Sequence, residues 1–400
     1  MPAHQSKFFS PATALLGRLR LSRKFFLILL VFIIPLAYMS WGVVADKQRQ
    51  VLFHETQLSG LQRLDDTSSI LANLVRLRDL GYASALGFQS SFDEPDAKAE
   101  IEQRIKQLAT ADSNSSRQQL EEVMHLWQEL NTGSGEALQS HSLGFQLSLA
   151  IHQYRQRLAE NYQLLLGTDL ASYQLSHVAV DSLAYTVDVT SALRGLGSGI
   201  IARGHYTPES FIKISYYAGE LDSNLDELAR AFAIIGHSHP HLLQRSEQVL
   251  SAVRTYLEQT QSRVIEPDAF EISAARHALS GRDVLQSLMR LQQETVATLK
   301  QRLEQQIQNQ TWQMYEVVGI SAAIILLVMY LFSGFYYSMK QGIQQINGTL
   351  ANIARGNLEQ RAEVHSRDEI HTIAENLNHT AGQLTELVKI AYSRQQEGAP

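Results

Sequence analysis

The chain has 400 residues, of which 44% are hydrophobic, and a formal net charge of −6. This composition excludes a disordered protein and leaves room for two or more packed modules. The absence of cysteine excludes disulfides and cysteine nucleophiles, and the acidic balance disfavours nucleic acid as a partner.

The first predicted element is a membrane-spanning helix at residues 25–44. It is an apolar run interrupted only by Pro35, which membrane helices tolerate. The tail before it, residues 1–24, has no acid and five basic residues: Lys7, Arg18, Arg20, Arg23 and Lys24. The positive-inside rule therefore predicts a cytoplasmic tail and an exported segment after the span. A signal peptide cleaved near Ala45 is the alternative.

The exported segment, residues 45–316, contains 23 basic and 33 acidic residues, a net charge of −10. Apolar residues recur in it at steps of three and four, which predicts amphipathic helices and an all-α fold. Six breaks divide it into seven predicted helices, at residues 92–95, 131–135, 167–169, 204–208, 236–240 and 266–268.

A short repeat suggests that the exported segment is duplicated. Leu77-Arg78-Asp79-Leu80-Gly81 returns as Leu193-Arg194-Gly195-Leu196-Gly197, 116 positions later, and each copy is followed by a proline near a helix start. We therefore predict two helical units, at about 45–167 and 168–316. A chance match of five residues is the alternative.

The repeat places two arginines at equivalent positions, Arg78 and Arg194. A guanidinium among small residues presents a fork of donors to a planar anion such as nitrate or a carboxylate, and Arg76 and Arg203 are candidates to complete the cluster. The alternative is that these arginines pair with acids such as Asp79 or Asp188, or lie in solvent.

The other candidate sites are weaker. His237, His239 and His241 alternate in one turn, but their spacing is not specific for any metal, so a solvent-exposed turn is preferred and no metal is predicted. Gly195–Gly199 lacks the preceding strand and the following lysine of a phosphate loop. No catalytic constellation is present, so we predict neither an enzyme nor a cofactor.

A second membrane-spanning helix is predicted at residues 317–337, and two heptad-patterned helices follow it. Apolar seams run along the first helix (Ile343, Ile346, Leu350 and Ile353) and the second (Ile370, Ile373, Leu377, Leu384 and Leu387). Between them, Gly356-Asn357-Leu358 ends the first helix, Val364 is an apolar anchor, and Asp368-Glu369 begins the second. Each seam is too narrow to be buried by one chain.

This arrangement resembles the HAMP domain of bacterial chemoreceptors, sensor kinases and membrane cyclases, over residues 338–390. The resemblance implies a parallel coiled coil that relays signals through Gly356, Leu358, Val364, Asp368 and Glu369. Gly342 departs from the family, which often has proline there. An ordinary juxtamembrane coiled coil is the alternative, and residues 391–400 remain as a tail.

The exported segment also resembles the all-helical nitrate- and nitrite-sensing domain of some receptors, over residues 68–96 and 186–230. The family's Arg-Glu-Arg-Gly motif corresponds to Arg78-Asp79-Leu80-Gly81, where Leu80 replaces one arginine. Its Glu-Arg-Ala helix corresponds to Leu193-Arg194-Gly195 and closes at Arg203-Gly204. The helical bimodular domain that senses small organic acids is a close competitor.

Together these features predict a chemoreceptor-like sensor that spans the bacterial inner membrane twice. A small periplasmic anion, nitrate-like or a carboxylate, is the expected ligand, and the output module is expected to lie on a partner. We expect a homodimer or a heterodimer with a full-length receptor. The alternative function is a non-catalytic modulator or scaffold that binds a periplasmic protein and tunes other receptors.

Overall fold

The computed structural model describes residues 19, 21–88, 94–111, 116–132, 137–167, 169–267, 269–366 and 368–397. Most of the predicted basic tail and parts of four predicted breaks therefore lie outside the described residues. The described residues are helical and contain no strand, which confirms the all-α prediction.

The helices are α1 (Leu21–Ala85), α2 (Glu94–Ala111), α3 (Arg117–Thr132), α4 (Ala137–Asn161), α5 (Leu170–His177), α6 (Leu183–Arg203), α7 (Pro208–Ile235), α8 (Pro240–Thr260), α9 (Ala274–Ala354) and α10 (Glu369–Glu397). Two π-helices, π1 (Val178–Ser182) and π2 (Gln261–Ile265), continue α5 into α6 and extend α8. The prediction of seven exported helices missed one interruption, between Ala111 and Arg117. That segment has polar Asp, Asn and Ser residues but no Gly or Pro, the markers on which the other breaks rested.

The chain forms two compact units, Arg49–Gln310 and a second made of Met1–Gln48 with Thr311–Pro400. The second unit contains the apolar parts of α1 and α9, which are long and apolar enough to cross a membrane and are not buried by the protein. Four contacts pair these two helices in antiparallel orientation: Phe25 with Phe335, Phe32 with Phe332, Ser40 with Ser321, and Lys47 with Gln313. The chain is therefore a membrane protein by the composition of these helices.

The unit Arg49–Gln310 is a helical bundle in which the two copies of the sequence repeat face each other. Three contacts join α1 to α6: the Ser191 hydroxyl with the Val75 carbonyl at 3.4 Å, Gly195 with Asp79, and Gly199 with Ala83. The partners in every pair are 116 positions apart, which is the spacing of the repeat. The two helices therefore run parallel and in register.

The aliphatic part of each repeated arginine packs against a glycine of another helix, on α4 for Arg78 and on α9 for Arg194. A β-carbon added at Gly144 on α4 would lie 2.8 Å from Cγ of Arg78, and one added at Gly281 on α9 would lie 2.7 Å from Cγ of Arg194. Each arginine therefore packs against the last helix of its own predicted unit.

Arg155 on α4 bonds equivalent positions of the two predicted units. Its guanidinium donates to the Leu64 carbonyl at 3.1 Å and to the Val180 carbonyl at 2.5 Å, and these acceptors are again 116 positions apart. Burial lowers the pKa of Arg155 to about 10, against the opposing charges of Asp181 and Asp65. Val180 belongs to π1, so Arg155 binds a carbonyl of the π-helix.

Substitution of Gly195 tests the close approach of α1 and α6. In Gly195→Ala, the new β-carbon would meet Asp79 Cβ at 2.4 Å and its carbonyl oxygen at 2.7 Å, so the helices must separate. We expect a loss of about 1–3 kcal/mol in the free energy of unfolding, measured by denaturation of the full chain in detergent.

Gly219→Ala is the matched control, because Gly219 lies in α7 with nothing within 4 Å of its added β-carbon. This variant gains helix propensity and should be more stable by about 1 kcal/mol. Equal stability changes in the two variants would contradict the in-register packing.

Candidate functional site

Arg78 is a buried residue whose fork is already occupied. Its Nε donates to Asp79 Oδ1 at 2.7 Å, and its Nη2 donates to Asp79 Oδ2 at 2.9 Å and to Asp188 Oδ1 at 2.7 Å. The alternative considered from the sequence, that these arginines pair with acids, is thus confirmed for Arg78. The ion pair with Asp188 also links α1 to α6.

The two acids around Arg78 have different environments. Asp188 also accepts hydrogen bonds from the Ser148 hydroxyl and faces His152 Nε2 at 3.2 Å. Burial alone would raise the pKa of Asp188, but Arg78, His152 and Ser148 together hold it well below its ordinary value. For Asp79, burial outweighs the opposing charge of Arg78, and the pKa is raised.

Aromatic rings cover the other side of Arg78. Its Cζ lies 3.9 Å from the centre of the Phe145 ring, a cation–π distance. Phe145 stacks on Tyr217 and meets the edge of His141, which in turn stacks on Tyr82 at 4.1 Å between ring centres. Burial and the charge of Arg78 lower the pKa of His141 to about 3, so this imidazole is neutral.

Arg194 occupies the equivalent position on α6, but its fork is empty. The side chain is only 4% exposed, and neither Nε nor Nη2 has a hydrogen-bond partner in the described part of the chain. Gly195 stands where Asp79 follows Arg78, and Ala72 stands at the position equivalent to Asp188. Burial lowers the pKa of Arg194, against the opposing charge of Asp79.

A second buried polar group near Arg194 also lacks a hydrogen-bond partner among the described residues. The Ser198 hydroxyl lies one turn along α6 and is fully buried without a hydrogen-bond partner among the described residues. Nearby, His277 Nε2 lies 3.1 Å from the Tyr256 hydroxyl, and His277 also bonds the Leu193 carbonyl. Burial lowers the pKa of His277 to about 4, so it adds no positive charge at neutral pH.

The other two predicted ligand residues do not join this cluster. Arg76 is exposed, and with Arg282 it acts on Arg194 only through its charge, which lowers the pKa of Arg194. Arg203 is nine residues after Arg194 on the same helix, which is about 14 Å along the axis and on the opposite face. The structure thus relates Arg78 and Arg194 through Asp79, which bonds Arg78 and acts on Arg194 by its charge, and it does not gather the four predicted arginines in one cluster.

Sequence reasoning did not identify Ser148, His152, Ser198, Tyr256 or His277 as site residues. They come from four helices, α4, α6, α8 and α9, and their only shared signal is a small or polar residue on an otherwise apolar helix face. In the histidine turn, the rings of His239 and His241 are 6.0 Å apart. Among the described residues, no group of three or more His, Asp or Glu side chains is placed to hold a metal ion.

The second functional region follows the apolar part of α9, where a Schellman turn ends the helix. Gly356 has a φ of +91°, its amide bonds the Ile353 carbonyl at 3.0 Å, and the Asn357 amide bonds the Asn352 carbonyl at 3.0 Å. After it, the Leu358 carbonyl accepts a hydrogen bond from Arg361 at 2.7 Å.

Asn378 of α10 bonds both backbone groups of Ala362 in the connector, while His371 and Thr385 make longer contacts with the Val364 and Leu358 carbonyls at 3.4 Å. The Asn378 amide accepts from the Ala362 amide at 2.7 Å and donates to the Ala362 carbonyl at 3.0 Å. Val364 lies beside this contact and lines a cleft of about 290 Å³ together with Asn378 and His371.

Asp368 begins α10 as predicted. Its carboxylate accepts from the Ile370 amide at 3.1 Å and from the Ser366 hydroxyl at 2.6 Å, and these bonds lower its pKa. Glu369 is the exposed first residue of the helix. Gly342 packs against Ile370, since a β-carbon added there would lie 2.6 Å from Cγ2. A bulkier residue at this departure from the family pattern would collide with α10.

Both helices leave their seams partly uncovered in the single chain. Four seam residues are between 41% and 62% exposed: Leu350, Ile373, Leu384 and Leu387. Residues 335–386 match the family model of the HAMP domain. This match starts three residues before the predicted domain and ends four residues before its predicted end, and it supports a role in transmembrane signal relay.

The comparisons with whole proteins add little to this domain match. No curated protein matches the chain. A solved structure described as the NasR transcription antiterminator aligns with 88% of this chain and 99% of its own, at 12% identity and a TM-score of 0.45. At that level of similarity no property of the antiterminator carries over to this chain.

The two arginines should respond oppositely to replacement by methionine. Arg78→Met leaves Asp79 and Asp188 without their cation and should cost about 3–5 kcal/mol in the free energy of unfolding. Arg194→Met removes a buried charge that has no bonded partner among the described residues, so stability should be unchanged or higher. Denaturation of both variants in ligand-free buffer measures this, and an equal loss would contradict the assignment of one filled and one empty fork.

Asn378→Ala should release the part of the HAMP connector around Ala362. Both bonds to Ala362 are lost, which exposes the Ala362 amide and accelerates its hydrogen exchange by about tenfold or more. Asn376→Ala is the control, since Asn376 is an exposed residue of the same helix. Unchanged exchange at Ala362 in Asn378→Ala would show that the contact does not hold the connector.

Proposed function

We propose that this protein is a multi-pass sensor of the bacterial inner membrane that binds a small planar oxyanion, nitrate-like or a carboxylate, in its periplasmic bundle. The observation that carries the proposal is the empty, buried fork of Arg194 beside the filled fork of Arg78. An unpaired guanidinium inside a bundle is costly, because burial penalises its charge. A bound anion removes that cost.

The way Arg78 holds the Asp79 carboxylate indicates how Arg194 would hold an anion. Its Nε and Nη2 hold the two oxygens of Asp79 at 2.7 Å and 2.9 Å, the paired geometry typical of arginine and a carboxylate. The same two atoms are the ones left without partners in Arg194. The ligand therefore presents two coplanar oxygens, and the buried Ser198 hydroxyl is a further donor for it.

The helices that frame this site also provide the route for a signal. The single helix α1 contains the first apolar run and the Arg78 segment, and α9 contains Gly281, the second apolar run and the first HAMP helix. A ligand that favours one packing of α6 against α1 and α9 biases a two-state element. Partner HAMP helices, from a second copy or a full-length receptor, would cover the exposed seam residues.

Anion binding is tested by thermal unfolding of the full chain in detergent with formate, acetate, nitrate or nitrite, and with chloride as the spherical control. An anion at about a hundred times its dissociation constant should stabilise the protein by about 2.7 kcal/mol. We expect this gain to disappear in Arg194→Met and to persist in Arg203→Met. If none of the four anions stabilised the protein, the anion-sensor proposal would be overturned, and the alternative of a scaffold that binds a periplasmic protein would be favoured.

A further inference from the structure

Asp79 lies between the two arginines of the repeat. It is 1% exposed, its carboxylate fills the Arg78 fork, and its Cβ would be 2.4 Å from a β-carbon at Gly195. It is also the acid whose charge acts most strongly on Arg194. The buried Asp79 carboxylate thus bonds Arg78 and also acts on Arg194 by its negative charge.

The groups around Asp79 come from every neighbouring helix. They are Arg78 on α1, with Asp188, Ser191 and Arg194 on α6, and Tyr217 on α7. Behind Asp188 lie Ser148 and His152 of α4, and around Arg194 lie Tyr256 of α8, His277 of α9 and the exposed Arg76 and Arg282. Within the buried part, two arginines face two aspartates.

An anion at Arg194 adds a negative charge to this balanced set. We propose that anion binding at Arg194 is coupled to the uptake of one proton, and that Asp79 carries this proton. The inference rests on the proposed function and concerns the regulation of the same site. After uptake, Arg78 remains paired with Asp188, Arg194 is paired with the ligand, and Asp79 is neutral, so each buried guanidinium has one anionic partner.

Asp79 rather than Asp188 is the acceptor because it lies against α6 beside Arg194, where the ligand adds its charge, and because fewer side chains stabilise its charged form. Asp188 is bonded by Arg78 and Ser148 and contacts His152, all of which favour its charged form. Asp79 is bonded by two side chains, Arg78 through two hydrogen bonds and Ser191 through one, and the negative charge of Asp188 further disfavours its charged form. The raised pKa of Asp79 and the lowered pKa of Asp188 agree with this order.

The sign of the pH dependence follows from linkage. The liganded protein holds one more proton than the free protein, so affinity rises as pH falls and weakens by up to about tenfold per pH unit where Asp79 is ionised in the free protein. A site formed by arginine alone would bind formate or nitrate equally over this range, because arginine does not titrate there.

The test is calorimetric titration of the full chain in detergent with formate and with nitrate, between about pH 6 and about pH 8, in buffers of different ionisation enthalpy. We expect uptake of close to one proton and a fall in affinity toward higher pH. Asp79→Asn should bind the same anions without proton uptake and with a flat pH profile. Asp222→Asn, at an exposed site on α7, should behave like the wild type.

Each outcome separates the two proposals. Binding by the wild type without proton uptake and without pH dependence would overturn the coupling while leaving the anion site intact. An unchanged pH slope in Asp79→Asn would exclude Asp79 as the acceptor. No binding of either anion at any pH would overturn the anion site and the coupling together. If Asp79→Asn fails to fold, the proton count of the wild type still decides the coupling.

Discussion

The close approach of α1 and α6 is the contact on which the bundle and its candidate site depend. Gly195 and Gly199 leave no side chain between the helices, so Asp79 and Ala83 come directly against the opposite backbone. This spacing puts Arg78 within bonding distance of Asp188 and leaves Arg194 buried beside Asp79. The site is therefore a property of the helix pair, and either helix alone would expose its arginine to water.

Much of this arrangement could be predicted from the sequence. Apolar periodicity predicted the helices, and the five-residue repeat picked out Arg78 and Arg194. The sequence left open whether each arginine binds a ligand or pairs with an acid, because the outcome depends on Asp188, six residues before Arg194, and on Ser148 and His152 from another helix. Side chains that meet only after packing leave no spacing signal along the chain.

The HAMP region was easier to predict, for a physical reason. Gly356 and Asp368 act through hydrogen bonds to residues within five positions of themselves, so short-range sequence contains their role. Asn378 pairs with Ala362 across 16 positions and was missed. The π-helices were also missed, since the side chains that bind their carbonyls are distant in sequence: Arg155 on α4 and Tyr206 in the loop between α6 and α7.

The deep burial of α6 has a kinetic consequence. Leu183 to Ile200 is buried almost without interruption, and Arg194 is 4% exposed. The anion proposed for Arg194 could then reach or leave the guanidinium only when neighbouring helices separate, so its residence time would follow the opening rate of the bundle. The occupancy of such a site would follow the ligand concentration averaged over the residence time, and it would not follow faster changes in concentration.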